Sequence, residues 1–218
     1  TAKQQASNDI RDLKSRTALN HPNIQKLLGY STATQKELCS TNYLTKAFYE
    51  FPKSDLHKSI EEKRQNGQIH STQELQAVAK QSLQGLDHLH NLDIVHGDIR
   101  PLNIGISKDN QVQILDRLNN PAPFEQVQNK NIVEKKELFA SPELYRKLLG
   151  KDKNVKVNAQ KNDLCALGLS LLQAGNGSKI QDIYKSDGEI DQNALNNHLD
   201  VFDKNHAAQS PQLSKLVH

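Results

Sequence analysis

Residues 71–114 place the tightest limits on what this chain can fold into. Ser71 stands before an apolar-periodic run with Glu74 three residues on, the spacing of a capping box at a helix start. Leu75, Val78, Leu83, Leu86 and Leu89 follow at helical intervals and predict one buried stripe. A loop comes next, with Asp98 and Asn103 set five apart in an apolar frame, IVHGDIRPLNIGI. NIGIS and QVQILD then flank Lys108-Asp109-Asn110, which predicts a hairpin by alternation and turn chemistry. Helix, polar loop and hairpin in immediate succession point to an α+β chain.

The flanking stretches extend that pattern. DIRDLKSRTAL, residues 9–19, predicts a helix that His21-Pro22-Asn23 breaks. NIQKLLGY and YLTKAFYEF predict two strands, and Phe51-Pro52 ends the pairing. SDLHKSIEEKR predicts a short helix, LYRKLLG another closed by Gly150, and NDLCALGLSLLQAG a central buried helix capped by Gly175. Helices are expected near 180–186, 190–202 and 211–218. The sum is a small strand-bearing front and a larger helical body.

Charge and cysteine content narrow the function classes. A net charge of +3 is too mild to indicate a nucleic-acid surface, and no aromatic-basic interleaving supports one. No apolar run reaches the length of a membrane span. Cys39 and Cys165 stand in unrelated contexts, so a reducing, cytoplasmic setting is expected. Arg146, Lys147, Lys151, Lys153, Lys156 and Lys161 face only Asp152 within their stretch, a ridge suited to an acidic protein partner. His88 and His90 lie two apart on a helix and face different sides, which argues against a metal pair. Thr1 at the start and an amphipathic pattern still running at LSKLVH suggest a piece of a longer protein.

Taken in order, the segments resemble the eukaryotic protein kinase family over nearly the whole chain. HPNIQKLLGY is similar to the segment after the family's regulatory helix, FYEFPKSDL to the hinge, and HLHNLDIVHGDIRPLNIGI to the catalytic loop. ILDRL stands where the family has Asp-Phe-Gly, and ASPE where it has Ala-Pro-Glu; Asn103 and Asp116 are thirteen positions apart, as in the family. The resemblance implies a two-lobed α+β fold: residues 1–50 a partial small lobe of regulatory helix and two strands, residues 51–218 a mostly helical large lobe, truncated at its C-terminal end.

It also implies roles. Phosphoryl transfer is mostly positioning and charge neutralisation. Asp98 matches the acid that orients the substrate hydroxyl, and Arg100 stands in for a lysine that meets the transferring phosphoryl. Asn103 and Asp116 match the two magnesium ligands. The backbone at Tyr49 and Phe51 would meet the adenine of ATP, with Phe48 behind it as a gate, Asp55 would reach the ribose, and Gly105 occupies the floor position.

Several positions depart from that pattern. Arg117 and Leu118 replace Phe and Gly after Asp116, and Gly105 replaces the usual leucine. Gly97 replaces an arginine that grips an activation-loop phosphate in many members, and Arg117 to Ala140 contains no Ser, Thr or Tyr. Lys136 stands where Ser/Thr-specific members carry a threonine. The regulatory-helix glutamate aligns with Asp12, or with Asp9, and Arg16 falls near an apolar position. A Gly-rich loop and ATP-gripping lysine would precede Thr1 or be missing. Two readings stay open: a catalytically impaired kinase-like module serving as scaffold, regulator or structural component, without nucleotide; and an active Ser/Thr-type kinase using ATP and magnesium.

Overall fold

The computed structural model describes residues 2–36, 41–115, 139–150 and 156–218. Helix α1 spans Ala2–Thr17, beginning earlier than apolar spacing alone predicts. Its first turns, AKQQAS, carry little apolar periodicity, but Ala, Lys and Gln are good helix formers. Strands β1 (Leu27–Lys36) and β2 (Thr41–Tyr49) pair antiparallel, with Tyr30 opposite Ala47 and Thr34 opposite Tyr43. β1 continues past the apolar run into STATQK, where the β-branched Thr32 and Thr34 favour extended backbone. Helix α1 packs on both strands. Along β2, half-buried Thr45, Ala47 and Tyr49 alternate with exposed Lys46 and Phe48.

Residues 21–25 join this front unit to the rest. The Asn23 carbonyl accepts from Ile114 N–H at 2.8 Å, and Gln25 N–H donates to the Ile114 carbonyl at 2.9 Å. The Asn23 side-chain amide donates to the Val112 carbonyl at 2.8 Å and to Gln81 Oε1 at 3.1 Å. These bonds make a parallel bridge between Ile24 and Ile114.

The body follows. A two-residue strand, β3 (Ser54–Asp55), leads into α2 (Leu56–Gln65) and α3 (Thr72–Asn91). The capping box forms as the sequence predicts: the Ser71 hydroxyl accepts from Glu74 N–H, and Ser71 N–H donates to Glu74 Oε2 at 2.7 Å. Of the predicted stripe, Leu75, Val78, Leu86 and Leu89 are buried, and Leu83 packs at its margin. The hairpin is β4 (Ile104–Ile106) with β5 (Val112–Ile114), and β3 joins it to give the order β3-β4-β5. Asn110 takes a φ of 57° in the turn, a conformation asparagine tolerates better than most residues.

Helices α4 (Pro142–Leu148), α5 (Ala159–Asn176), α6 (Gln192–His206) and α7 (Pro211–Val217) complete the chain. Residues 180–186 form a short 3-10 turn at Gln181–Ile183 rather than a helix. Helix α5 is central: Ala166, Leu167, Leu171, Leu172 and Ala174 sit in one core with Leu56, Leu75, Leu86, Ile104, Ile114 and Phe202. The glycine expected to cap it is corrected by two residues. Gly177, at φ 63°, is the cap, and Gly175 lies inside the helix, where a Cβ would collide with the Phe202 ring. Among the described residues no helix is long and apolar enough to cross a membrane.

Candidate functional site

The polar loop after α3 is fixed by one buried acid. Asp163, in the first turns of α5, has no exposed surface and accepts three hydrogen bonds. Gly97 N–H donates to Oδ1 at 2.7 Å, His96 N–H to Oδ2 at 2.9 Å, and His90 Nε2 lies 2.9 Å from Oδ2. A carboxylate without solvent is tolerated only with such compensation. The neighbouring Asn162 accepts from Ser141 N–H at 2.8 Å, so successive residues of α5 hold the loop and the segment before α4. Tyr184 strengthens the second attachment: its hydroxyl donates to the Ala140 carbonyl at 3.0 Å and accepts from Ala140 N–H at 3.1 Å. Burial pushes the Tyr184 hydroxyl well above the ordinary tyrosine range, which keeps it a donor.

The loop then turns through Gly97 at φ 74°, a left-handed backbone that glycine adopts without strain. The arginine expected at this position by resemblance would be disfavoured in this geometry, so the glycine has a local structural reason. Beyond it, Asp98, Arg100 and Asn103 lie together. Asn103 Nδ2 donates to the Asp98 carbonyl at 2.7 Å and to Asp98 Oδ2 at 3.0 Å. Arg100 Nε lies 3.5 Å from Asp98 Oδ1, with both side chains about one-third exposed. His96 Nε2 donates to the Leu115 carbonyl at 2.8 Å, and its Nδ1 accepts from Asp98 N–H at 3.2 Å, which defines a neutral tautomer.

The residues expected around a nucleotide are only partly assembled. Asp55 and Gly105 are cross-strand partners, and Asp55 Oδ1 caps α2 by accepting from Lys58 N–H at 2.8 Å. Tyr49 is half-buried at the end of β2, whereas Phe51 is 94% exposed and Phe48, expected as a gate, is 54% exposed. Between them Glu50 N–H donates to the Lys26 carbonyl at 3.0 Å. A Cβ at Gly105 would meet Leu115 Cδ2 at 2.5 Å and Pro52 Cγ at 3.0 Å. The volume missing at Gly105 is therefore filled by Leu115 from the neighbouring strand end and by Pro52.

Asp116, Arg117, Leu118 and Lys136 lie outside the described residues, as do the side chains of Asp9 and Asp12 and residues Lys151 and Lys153. Among the described residues there is no group of three or more His, Cys, Asp or Glu that could hold a metal. Asn103 nonetheless fits a ligand's role: its amide nitrogen is committed to Asp98, which leaves the carbonyl oxygen for a hard cation.

The resemblance already marks the Asp163 helix as the buried anchor of the large lobe, and the structure shows its carboxylate holding the loop. Three contributors escaped the sequence reading: His90, His96 and Leu115. These act through contacts across 19 to 73 residues, which spacing does not reveal.

Comparison with known proteins bears on the same site. A family described as "Protein kinase domain" matches residues 1–218. A Dictyostelium discoideum protein named "Probable serine/threonine-protein kinase samkA" is 22% identical over 75% of this chain and 23% of its own length. The Trypanosoma brucei brucei "Cell division control protein 2 homolog 3" is 33% identical over 49% of this chain and 31% of its own. The Arabidopsis thaliana "Mitogen-activated protein kinase 2" is 30% identical over 49% of this chain and 27% of its own. The matched stretches thus span less than a third of each of these relatives.

Proposed function

Because the chain belongs to the protein kinase family, matched over residues 1–218, we propose that it is a kinase-like domain impaired in phosphoryl transfer that serves as a scaffold or regulator of other proteins. The observation that carries this reading is Arg117-Leu118 directly after Asp116, where the family has Phe-Gly. An aromatic that packs inward is replaced by a guanidinium, costly to bury unpaired, and the backbone freedom of glycine is lost beside a magnesium ligand. A second reading, an active Ser/Thr-type kinase, is favoured by the catalytic loop. Asp98 and Asn103 are bonded to one another, Gly97 suits its backbone, and Leu115 refills the space at Gly105. Under that reading Asp98 orients the substrate hydroxyl, Arg100 meets the phosphoryl group, and Asn103 with Asp116 holds magnesium. The ion would neutralise charge on the ATP phosphates.

A thermal-shift titration with ATP and magnesium separates the two. The impaired reading expects a shift below about 1 °C at millimolar nucleotide, since ligand at its Kd adds only about 0.4 kcal/mol. A shift of several degrees that Asp116→Asn abolishes, with phosphate transfer lost in Asp98→Asn, would establish the active kinase instead.

The partner belongs to the same proposal. Lys156 and Lys161 are exposed, while Arg146 pairs with Glu189 at 2.9 Å, so the ridge is less positive than its sequence suggests. What remains supports an acidic protein surface, attracted over roughly 8 Å at physiological salt. Replacing Lys151, Lys153 and Lys156 with Glu should abolish partner recovery in a pull-down. Unchanged recovery would exclude the ridge. The free thiol of Cys165 supports a reducing, cytoplasmic setting for such an encounter.

A further inference from the structure

The joint between the front unit and the body contains two histidines that the kinase chemistry does not use. The His21 ring stacks on that of His88 in α3, with centroids 4.9 Å apart and an interplanar angle of 22°. His21 Nδ1 accepts from Asn23 N–H at 3.1 Å. An imidazole nitrogen that accepts carries no proton, so His21 is neutral in this geometry, with its hydrogen on Nε2. Asn23 is the residue that fastens the front unit, through Ile114, Val112 and Gln81. Its carbonyl also passes so close to α3 that a Cβ at Gly85 would lie 2.6 Å from it. The state of one imidazole nitrogen therefore bears on the backbone of the residue that fastens the joint.

The charges around it are few. His88 repels a proton on His21, and Asp87, the next residue of α3, attracts one while accepting from Asn91 Nδ2 at 3.1 Å. Among the described residues, the neighbours from the other packed elements are uncharged: Gln111, which donates to the Pro22 carbonyl at 3.1 Å, and Val112 and Ile114 of β5. Gln81 of α3 is neutral as well. Burial first, and His88 second, hold the His21 pKa below its ordinary 6.5, with Asp87 opposing them.

We propose that His21, stacked on His88, forms a proton-operated clasp between the front unit and the body, closed while the His21 ring is neutral and opened by mild acid. Protonation turns His21 Nδ1 from an acceptor into a donor that confronts the Asn23 N–H. The folded pKa of His21 lies below the unfolded one, so the closed clasp is fully stabilising above about 6.5 and weakens as pH falls through that value. Helix α1 and the β1–β2 hairpin then separate from β5 and α3 while the body stays folded. This device operates whether or not the chain transfers phosphate.

Hydrogen exchange read by mass spectrometry on the whole chain, from about pH 8 to about pH 5 and corrected for intrinsic rates, tests it. Peptides from 2–36 and 41–49 should lose protection severalfold relative to those from α3 and α5. His21→Asn offers Oδ1 as a non-titrating acceptor and should flatten that loss. His88→Phe keeps a stacked ring without a charge and should reduce it. Parallel loss in front and body, or an undiminished front-specific loss in both variants, would overturn the clasp. Should His21→Asn disturb α1 already at about pH 8, His88→Phe decides alone.

Discussion

The front unit and the body are built on different terms. Among the described residues, Leu13, Ile24 and Leu27 are the buried apolar side chains that precede residue 50; the rest of the core belongs to the body. Leu56, Leu75, Leu86, Leu167, Leu171 and Phe202 have no exposed surface, whereas Leu28, Leu44 and Phe48 on the hairpin are more than half exposed. Burying a leucine or phenylalanine fully is worth about 1.5–3 kcal/mol, so the body is held by packing and the front by a narrow hydrogen-bonded joint. The polar loop of the site belongs to the body, because its anchor is α5. Its order thus rests mainly on the body, with one link to the joint: Leu115, bonded by His96 and Asn103, directly follows the Ile114 that Asn23 and Gln25 hold.

The strongest way to break that contrast is to remove the anchor. Asp163→Ala orphans His90 and the N–H groups of His96 and Gly97, and should cost about 3–5 kcal/mol, as when one partner of a buried charged network is deleted. Urea unfolding would read it, and a loss below about 1 kcal/mol would mean that the loop is held elsewhere.

A smaller effect tests how the body repacks around a departure from the family. Gly105→Leu drives a side chain into Leu115 and Pro52 and should cost about 1–3 kcal/mol. The exchange Gly105→Leu with Leu115→Ala should recover most of that loss, because the two positions share one volume. Additive losses in the double variant would show that Leu115 does not substitute for the missing side chain.

What the sequence made legible follows the same division between local and distant causes. The Ser71–Glu74 cap, the stripe on α3 and the hairpin about Asn110 are set by neighbours within a few residues, and all formed as spacing predicts. Asp98, Arg100 and Asn103 converge because a single short loop carries them. Gly175 was misplaced as a cap because its cause is Phe202, a residue on another helix. Gly85 and Gly105 owe their identity to the Asn23 carbonyl and to Leu115, neither of which leaves a periodic trace. The early start of α1 escaped a reading based on apolar spacing, since its first turns rest on propensity.

Acid should weaken the body too, by a gentler route than at the joint. His70 is buried, with Nδ1 3.2 Å from the Ala174 carbonyl near the C-terminal end of α5 and Nε2 2.9 Å from Ser59 Oγ. Burial lowers its pKa, Lys63 and His206 lower it further, and the Ala174 bond and Glu74 act against them. The folded pKa is depressed, so stability is full above about 6.5 and declines as pH falls through that value. Urea midpoints measured from about pH 8 to about pH 5 should fall less steeply in His70→Gln than in the parent chain. Equal slopes would assign the acid sensitivity to other groups.

The smallest effect expected is the one that defines the front unit. Leu44 on β2 is 53% exposed and Leu75 on α3 is fully buried, so truncating the two leucines compares the regions directly. Leu75→Ala removes core contacts and leaves a cavity, at a cost of about 2–5 kcal/mol. Leu44→Ser exchanges one hydrated surface for another and should change stability by no more than about 0.5 kcal/mol, as should Phe48→Ser. Both measurements use urea unfolding of the isolated chain at low concentration, with sedimentation to confirm a monomer. A cost at Leu44 or Phe48 approaching that at Leu75 would mean that the hairpin face is covered in solution. The front unit would then be a packed layer like the body, and the contrast between the two regions would fail.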